Sequence, residues 1–536
     1  SRGHPVAMRG TGNSSRTSSR ANAAPTDVDT LDKLQAVVTA AVNAQAIALN
    51  TLVGYADNGG TAPILSVYSN AGVTGVDSDK LAAINSALAS TTITGALVDT
   101  TAEVQAIVDA YAAILAEANG STADATGTDP SVLTYQTVGV SLGSIATNTS
   151  GLSLLNDLVG ERNPADVDSV SDLNTLADAV NRLLVVASGG TASPAFTASE
   201  LNALLGISTV TADNLAAVLQ AIAATADNGS GIASLSSLQT VVGSGITAYS
   251  SALTSIGTYA DSATGAAPDL ATYTTAGVTG LTLSNGTTNT VLLDAVNSAL
   301  ASTPVDGTDV TTTAAVQAIV DAYALVLAEA NGALADATGT DPAASVYQTL
   351  GVNLGGVATN ADALALFNDV IGSMTADQVN TIAELDALAS VVSRLLQTAA
   401  GQSPTPALTA ADLALIGLTG VTTDNLSAVL ADIAATADTG SGIASLSALQ
   451  GVATASVSDF TAAMGVISAY TGTNTAPTDS TYAQAGITGV TSSNVTGLNS
   501  FIAPLSTTAT DTAAEVQAIV NAYNQLLTGA DGNGTD

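Results

Sequence analysis

The chain has no cysteine and no tryptophan, one histidine, and nine cations against forty-five carboxylates. Without cysteine there is no disulfide, no thiolate metal site and no cysteine nucleophile. The lone histidine, His4, sits in the N-terminal tail, so a serine–histidine–aspartate site has no base to build on. Lys33 and Lys80 are the only lysines, and neither follows a glycine-rich loop, which removes a phosphate cradle. A formal net charge of −36 repels nucleic acid, whose phosphates need clustered Lys and Arg, and repels an anionic membrane surface. No uninterrupted run of eighteen apolar residues marks a membrane span, so no membrane insertion is expected. Aromatic residues make up 3%, twelve of them Tyr and four Phe.

What the chain has in abundance is Ala, Val, Leu, Thr and itself. Hydrophobic residues are 46% of the total, enough for several packed cores in 536 residues. The octapeptide VQAIVDAY stands at 104–111 and again at 316–323, a shift of 212, and returns as VQAIVNAY at 516–523. Arg182 and Arg394 keep the same shift. Inside this long repeat runs a finer one. The pattern YxxxG[VI] begins at Tyr68, Tyr135, Tyr273, Tyr347 and Tyr482, and Leu201 and Leu413 stand at the two missing beats. A chain made by copying one packing solution reads as an array rather than as an enzyme with one unique pocket.

Each beat predicts the same helices. In 103–117, Val104, Ile107, Val108, Tyr111, Ile114 and Leu115 form one apolar stripe at helical spacing. Thr100 with Glu103, and Thr512 with Glu515, have the spacing of capping boxes, whereas Ala315 stands in the second copy. Asn119–Gly120 and Asn331–Gly332 are stop signals. A short helix carries the tyrosine, and a second periodic helix follows, with Leu215, Val218, Leu219 and Ile222 as its stripe. The segment SVLTYQTVGVSL at 131–142 alternates like a strand, but its equivalents at Tyr68 and Tyr482 do not, so it too is assigned to a helix.

The expected fold is therefore all-α: a tandem array of roughly 67-residue three-helix modules grouped in the 212-residue super-repeat. After a basic Ser/Arg tail over 1–24, the modules span 25–98, 99–167, 168–230, 231–310, 311–377, 378–441 and 442–508, with a partial module at 509–536. The run NAGVTGVDSDKLAAINSALAS followed by TAEVQAIVDAYAAILAEA resembles the GA module, the three-helix unit of bacterial surface proteins. The resemblance covers Tyr68–Ala118, Tyr273–Ala330 and Tyr482–Leu527. It implies a three-helix bundle on a bacterial surface. GA modules are Lys-rich and some bind serum albumin; this chain is Lys-poor, so albumin binding is not carried over. Composition and architecture also resemble the repeats of giant secreted bacterial adhesins and surface-layer proteins.

For chemistry, calcium is the one inorganic partner with a case. The loops ADATGTDP, with Asp124 and Asp129, and its copy, with Asp336 and Asp341, offer hard oxygen ligands, but without EF-hand spacing or the bidentate Glu. Turns and helix caps made with Asp account for the same residues. Asp109, its copy Asp321 and Asn521 read as a solvated helix face, and the repeated tyrosines as core. The expectation is a non-enzymatic bacterial extracellular protein whose partners are copies of itself or neighbouring modules: a filament, layer, matrix or adhesin stalk. An array of modules that capture a host or partner protein is the alternative.

Overall fold

The computed structural model describes residues 29–121, 129–332 and 341–529, so the tail at 1–24 lies outside the described residues. Among the described residues the chain is all-helical and contains no strand. It divides into two compact units, 1–250 and 251–536. Unit 1 holds α1 (Leu31–Asn58), α2 (Leu65–Asn70), α3 (Leu81–Leu88), α4 (Thr101–Glu117), α5 (Val132–Thr137), α6 (Thr149–Gly160), α7 (Val170–Ala187), α8 (Ala198–Leu205), α9 (Leu215–Ala223) and the first part of α10 (Leu235–Ser262). Unit 2 takes the rest of α10, then α11 (Leu270–Thr275), α12 (Thr290–Leu300), α13 (Thr313–Glu329), α14 (Ala344–Thr349), α15 (Ala361–Gly372), α16 (Ile382–Ala399), α17 (Ala410–Leu415), α18 (Leu426–Ala434), α19 (Leu446–Ser468), α20 (Asp479–Gln484), α21 (Val495–Ile502) and α22 (Ala513–Gly529).

The order short helix, second helix, long helix runs through both units. The short helices start at a capping hydroxyl or carboxylate wherever one is present: Ser131, Thr197, Asp269, Thr409 and Thr478 accept from the backbone three residues on. They end at a positive-φ glycine, such as Gly72 at φ 78 or Gly486 at φ 66, a conformation in which a Cβ would be strained. The segment at 131–142 contains helix α5, as its non-alternating equivalents indicate. The long helices are capped as the sequence predicts. Thr100 and Glu103 close a full box on α4, Thr512 and Glu515 bond reciprocally ahead of α22, and Thr312 caps α13 alone.

Each long helix works on two sides. Helix α4 packs back onto α3 and forward onto α5 and α6; α13 packs back onto α12 and forward onto α14 and α15. The predicted stripe of α4 is buried along its whole length. Seven repeat tyrosines, Tyr68, Tyr111, Tyr135, Tyr273, Tyr323, Tyr347 and Tyr482, are fully buried. Tyr523 in α22 is only half-buried, against Phe501.

Helix α1 is long and apolar enough to cross a membrane by length and composition, with a mean hydropathy of 1.5 over its best window. It holds no uninterrupted apolar run of that length, because Asn43, Gln45 and Asn50 punctuate it.

Candidate functional site

The recurrent polar residues are the natural place to look for a site. Five of the buried tyrosines share one arrangement. The phenol of Tyr68 donates to Asn85 Oδ1 at 2.5 Å, and the amide of Asn85 donates to the Pro63 carbonyl at 3.0 Å. The same pair of bonds links Tyr135, Asn156 and Pro130, then Tyr273, Asn297 and Pro268, then Tyr347, Asn368 and Pro342, and finally Tyr482, Asn499 and Pro477. The asparagine sits on the second helix and the proline immediately ahead of the short one. Burial holds all five phenols well above the ordinary tyrosine range, so they remain protonated donors. A buried hydroxyl needs such an acceptor, and each proline carbonyl gains a donor. The two leucine beats drop all three members together. Where Pro63, Tyr68 and Asn85 stand in the first beat, Phe196, Leu201 and Leu219 stand in one leucine beat, and Leu408, Leu413 and Leu430 in the other.

A second arrangement uses the fifth residue of the long helix. Gln105 accepts from the Thr74 amide at 2.9 Å and donates to the Thr74 carbonyl at 3.1 Å. Gln317 does the same to Thr279, Gln450 to Thr419 and Gln517 to Thr488. Asn174, Gln239 and Asp386 each make one such bond, to Ser141, Leu205 and Asn353. Asp109, Asp321 and Asn521 are exposed, as expected, and each also accepts from its clamp glutamine. That second role was not visible in a reading of them as solvated surface.

A third joins one beat to the next. The first backbone N–H of a long helix is satisfied by a side chain from the beat before: Val170 by Ser86, Leu235 by Asp157, Ile382 by Ser298, Leu446 by Asp369 and Ala513 by Asp424. These donors are among the orphans that every helix N-terminus leaves. Here a residue more than seventy positions earlier supplies the acceptor.

The leucine beats hold the two repeated arginines. Arg394 makes a two-pronged pair with Asp412, at 3.1 and 2.8 Å, and donates to the Ala407 carbonyl. Arg182 pairs with Glu200 and Asp178 and lies 4.3 Å over the Phe196 ring. The Arg394 guanidinium, helped by Thr409, lowers the Asp412 carboxyl to about 2. Because the folded value lies below the ordinary 3.8, this stability is complete above about pH 4 and fades as pH falls towards 2. Arg394→Met is expected to cost about 2 kcal/mol, since it leaves a half-buried carboxylate without its cation. The loss should shrink as acid protonates Asp412. Urea unfolding of wild type and variant at pH 7 and pH 3 checks this; an equal difference at both pH values contradicts the assignment.

Among the described residues no group of three or more His, Cys, Asp or Glu is placed to hold a metal. Of the four predicted calcium ligands, Asp124 and Asp336 lie outside the described residues, while Asp129 and Asp341 are exposed just ahead of the Pro130 and Pro342 carbonyls. Of three surface grooves, one of about 430 Å³ is lined in part by Met374, Leu388 and Leu415, and the other two mostly by small polar residues. One of about 630 Å³ runs past Ser86, Ser90, Ser141 and Asn174; another of about 380 Å³ runs past Asp386, Ser393 and Arg394, whose cation is already paired. No family model, curated protein or solved structure matches the chain.

Proposed function

We propose that the chain is a non-enzymatic structural repeat protein of the bacterial cell exterior, built as a tandem array of roughly 67-residue three-helix modules. It works as a stalk, filament or layer rather than on a substrate. The observation that carries this reading is the cap that each of five long helices receives from the preceding beat. Such a bond joins helices that lie in different modules, Ser86 in 25–98 and Val170 in 168–230 for one, and has no use in an isolated module. Recurring polar groups are satisfied within and between beats, as in solenoids whose stability is a sum of repeat and nearest-neighbour terms. The acidic exterior keeps such an array soluble. An extracellular setting accords with the absence of cysteine and the Thr/Asp/Gly-rich loops, and calcium at those loops is part of the proposal.

Negative-stain electron microscopy of the purified chain, with and without millimolar calcium, tests this. Thin rods or ordered fibres are expected, stiffer with calcium if Asp129 and Asp341 take part in binding it. Compact globules in both conditions would overturn the array.

A further inference from the structure

Helix α1 is a long helix whose first half is exposed among the described residues. Its residues Leu31, Leu34, Gln35 and Val38 stand where α10 has Leu235, Leu238, Gln239 and Val242, and where α19 has Leu446, Leu449, Gln450 and Ala453. In α10 the three apolar positions are exposed by 2, 0 and 1%, and in α19 by 4, 0 and 0%; in α1 they are exposed by 78, 46 and 49%. Gln35 is exposed as well; at the same position Gln239 donates to the Leu205 carbonyl at the end of α8, and Gln450 holds Thr419 after α17. The second half of α1 behaves like its counterparts: Ala48 and Leu52 are buried, as are Ala463 and Ile467 of α19. The pattern is therefore that of a core helix with half of its core missing, and it continues the interface that the chain builds elsewhere.

What covers this face in α10 is visible. Leu235, Leu238 and Val242 belong to the core that includes Leu201, Leu204 and Leu205 of α8 and Val218 and Ile222 of α9. The approach is close: a Cβ on Gly245 would meet the Val218 Cα at 2.7 Å. We propose that the first half of α1 is a docking surface for a helix pair of the α8–α9 kind, supplied by a further repeat. The proposal rests on the array reading. Leu31, Leu34 and Val38 would close the pair's core, and the Gln35 carboxamide would take the carbonyl at the end of its short helix. A bilayer fits the same face less well, because Gln35, Asn43 and Gln45 would have to be buried with it.

The absence of cysteine makes the test direct. Leu34→Cys and Leu238→Cys each give the chain a single thiol. Maleimide should label the first at least about tenfold faster than the second, as burial protects. Residues 191–234 are then inserted ahead of Leu31 in the L34C chain, so that the helix pair runs into α1 as it runs into α10. Labelling at position 34 should fall to the rate at position 238, and Val218→Asp in the inserted copy should restore the fast rate. A thiol that stays reactive in the extended chain overturns the proposal, whether or not the insert is helical. So does protection that survives V218D, or protection conferred on the unextended chain by phosphatidylcholine vesicles. Rods on the grid with a reactive thiol leave the array standing and remove this inference alone; globules remove the array whatever the thiol does.

Discussion

Raising the pH past 10 should leave seven of the twelve tyrosines un-ionised until the helices themselves are lost. Tyr68, Tyr111, Tyr135, Tyr273, Tyr323, Tyr347 and Tyr482 are buried, and burial holds each phenol above its ordinary value near 10. Five donate to an asparagine; Tyr111 and Tyr323 donate to the Val167 and Val379 carbonyls, acceptors that a phenolate would repel. A group whose folded pKa is raised contributes its full stability below the unfolded value and loses it as pH climbs towards the folded one. Each phenol therefore withdraws about 1.4 kcal/mol per pH unit above 10. Three of the seven lie in unit 1 and four in unit 2, so the units should lose about 4 and about 5–6 kcal/mol per pH unit. Against a stability of about 5–10 kcal/mol, the lower part of the typical range, that is enough to unfold both between roughly pH 11 and 12.5. Tyrosinate absorbance at 295 nm should rise in step with the loss of helical circular dichroism, and in urea these seven phenols should titrate near 10. Smooth ionisation of all twelve with the helices intact would show that these side chains are not the closed core described.

That core was legible as a stripe but not as a circuit. Helical spacing placed Val104, Ile107, Val108 and Tyr111 on one face, and the cap residues fixed where the helices begin, because both signals lie within one or two turns of the chain. The partner of each YxxxG[VI] tyrosine is seventeen to twenty-four residues away, and an asparagine inside a helical pattern looks like surface. Its meaning appears only when the beats are laid over one another and Pro, Tyr and Asn are seen to change together to Phe, Leu and Leu. The glutamine clamp was hidden in the same way. Gln105 sits inside the VQAI motif itself, but between Val104 and Ile107 it reads as the polar side of an amphipathic helix. The caps from Ser86, Asp157, Ser298, Asp369 and Asp424 cross seventy-seven to eighty-nine residues, and no local pattern encodes them. Tyr523 shows the converse. It has the helical position of Tyr111 and Tyr323, but it lies half-buried against Phe501, whereas those two reach the Val167 and Val379 carbonyls.

The joint exchange at the leucine beats makes the second large effect predictable in both directions. Asn297→Leu keeps the volume but strands two buried polar groups, the Tyr273 hydroxyl and the Pro268 carbonyl. Each unsatisfied group costs about 1–3 kcal/mol, so the variant should lose about 2–6 kcal/mol in total and melt roughly 4–24 °C lower. Tyr273→Leu added to it removes the stranded donor, and Pro268→Phe refills the space that the ring vacated. The triple variant P268F/Y273L/N297L then has the trio that the chain itself uses at 196, 201 and 219. It should recover about half of the lost stability, since the hydroxyl is gone while the residue-268 carbonyl still lacks its amide donor, although it contains three changes where the single variant contains one. Independent sites would give the opposite order, with each substitution adding its own penalty. If thermal melting ranks the triple below the single variant, the Pro–Tyr–Asn set is not the exchangeable unit of packing, and the two kinds of beat differ for some other reason. If the triple ranks above it, the polar and apolar beats are two solutions to one problem: how a short helix is fastened to the helix that follows it.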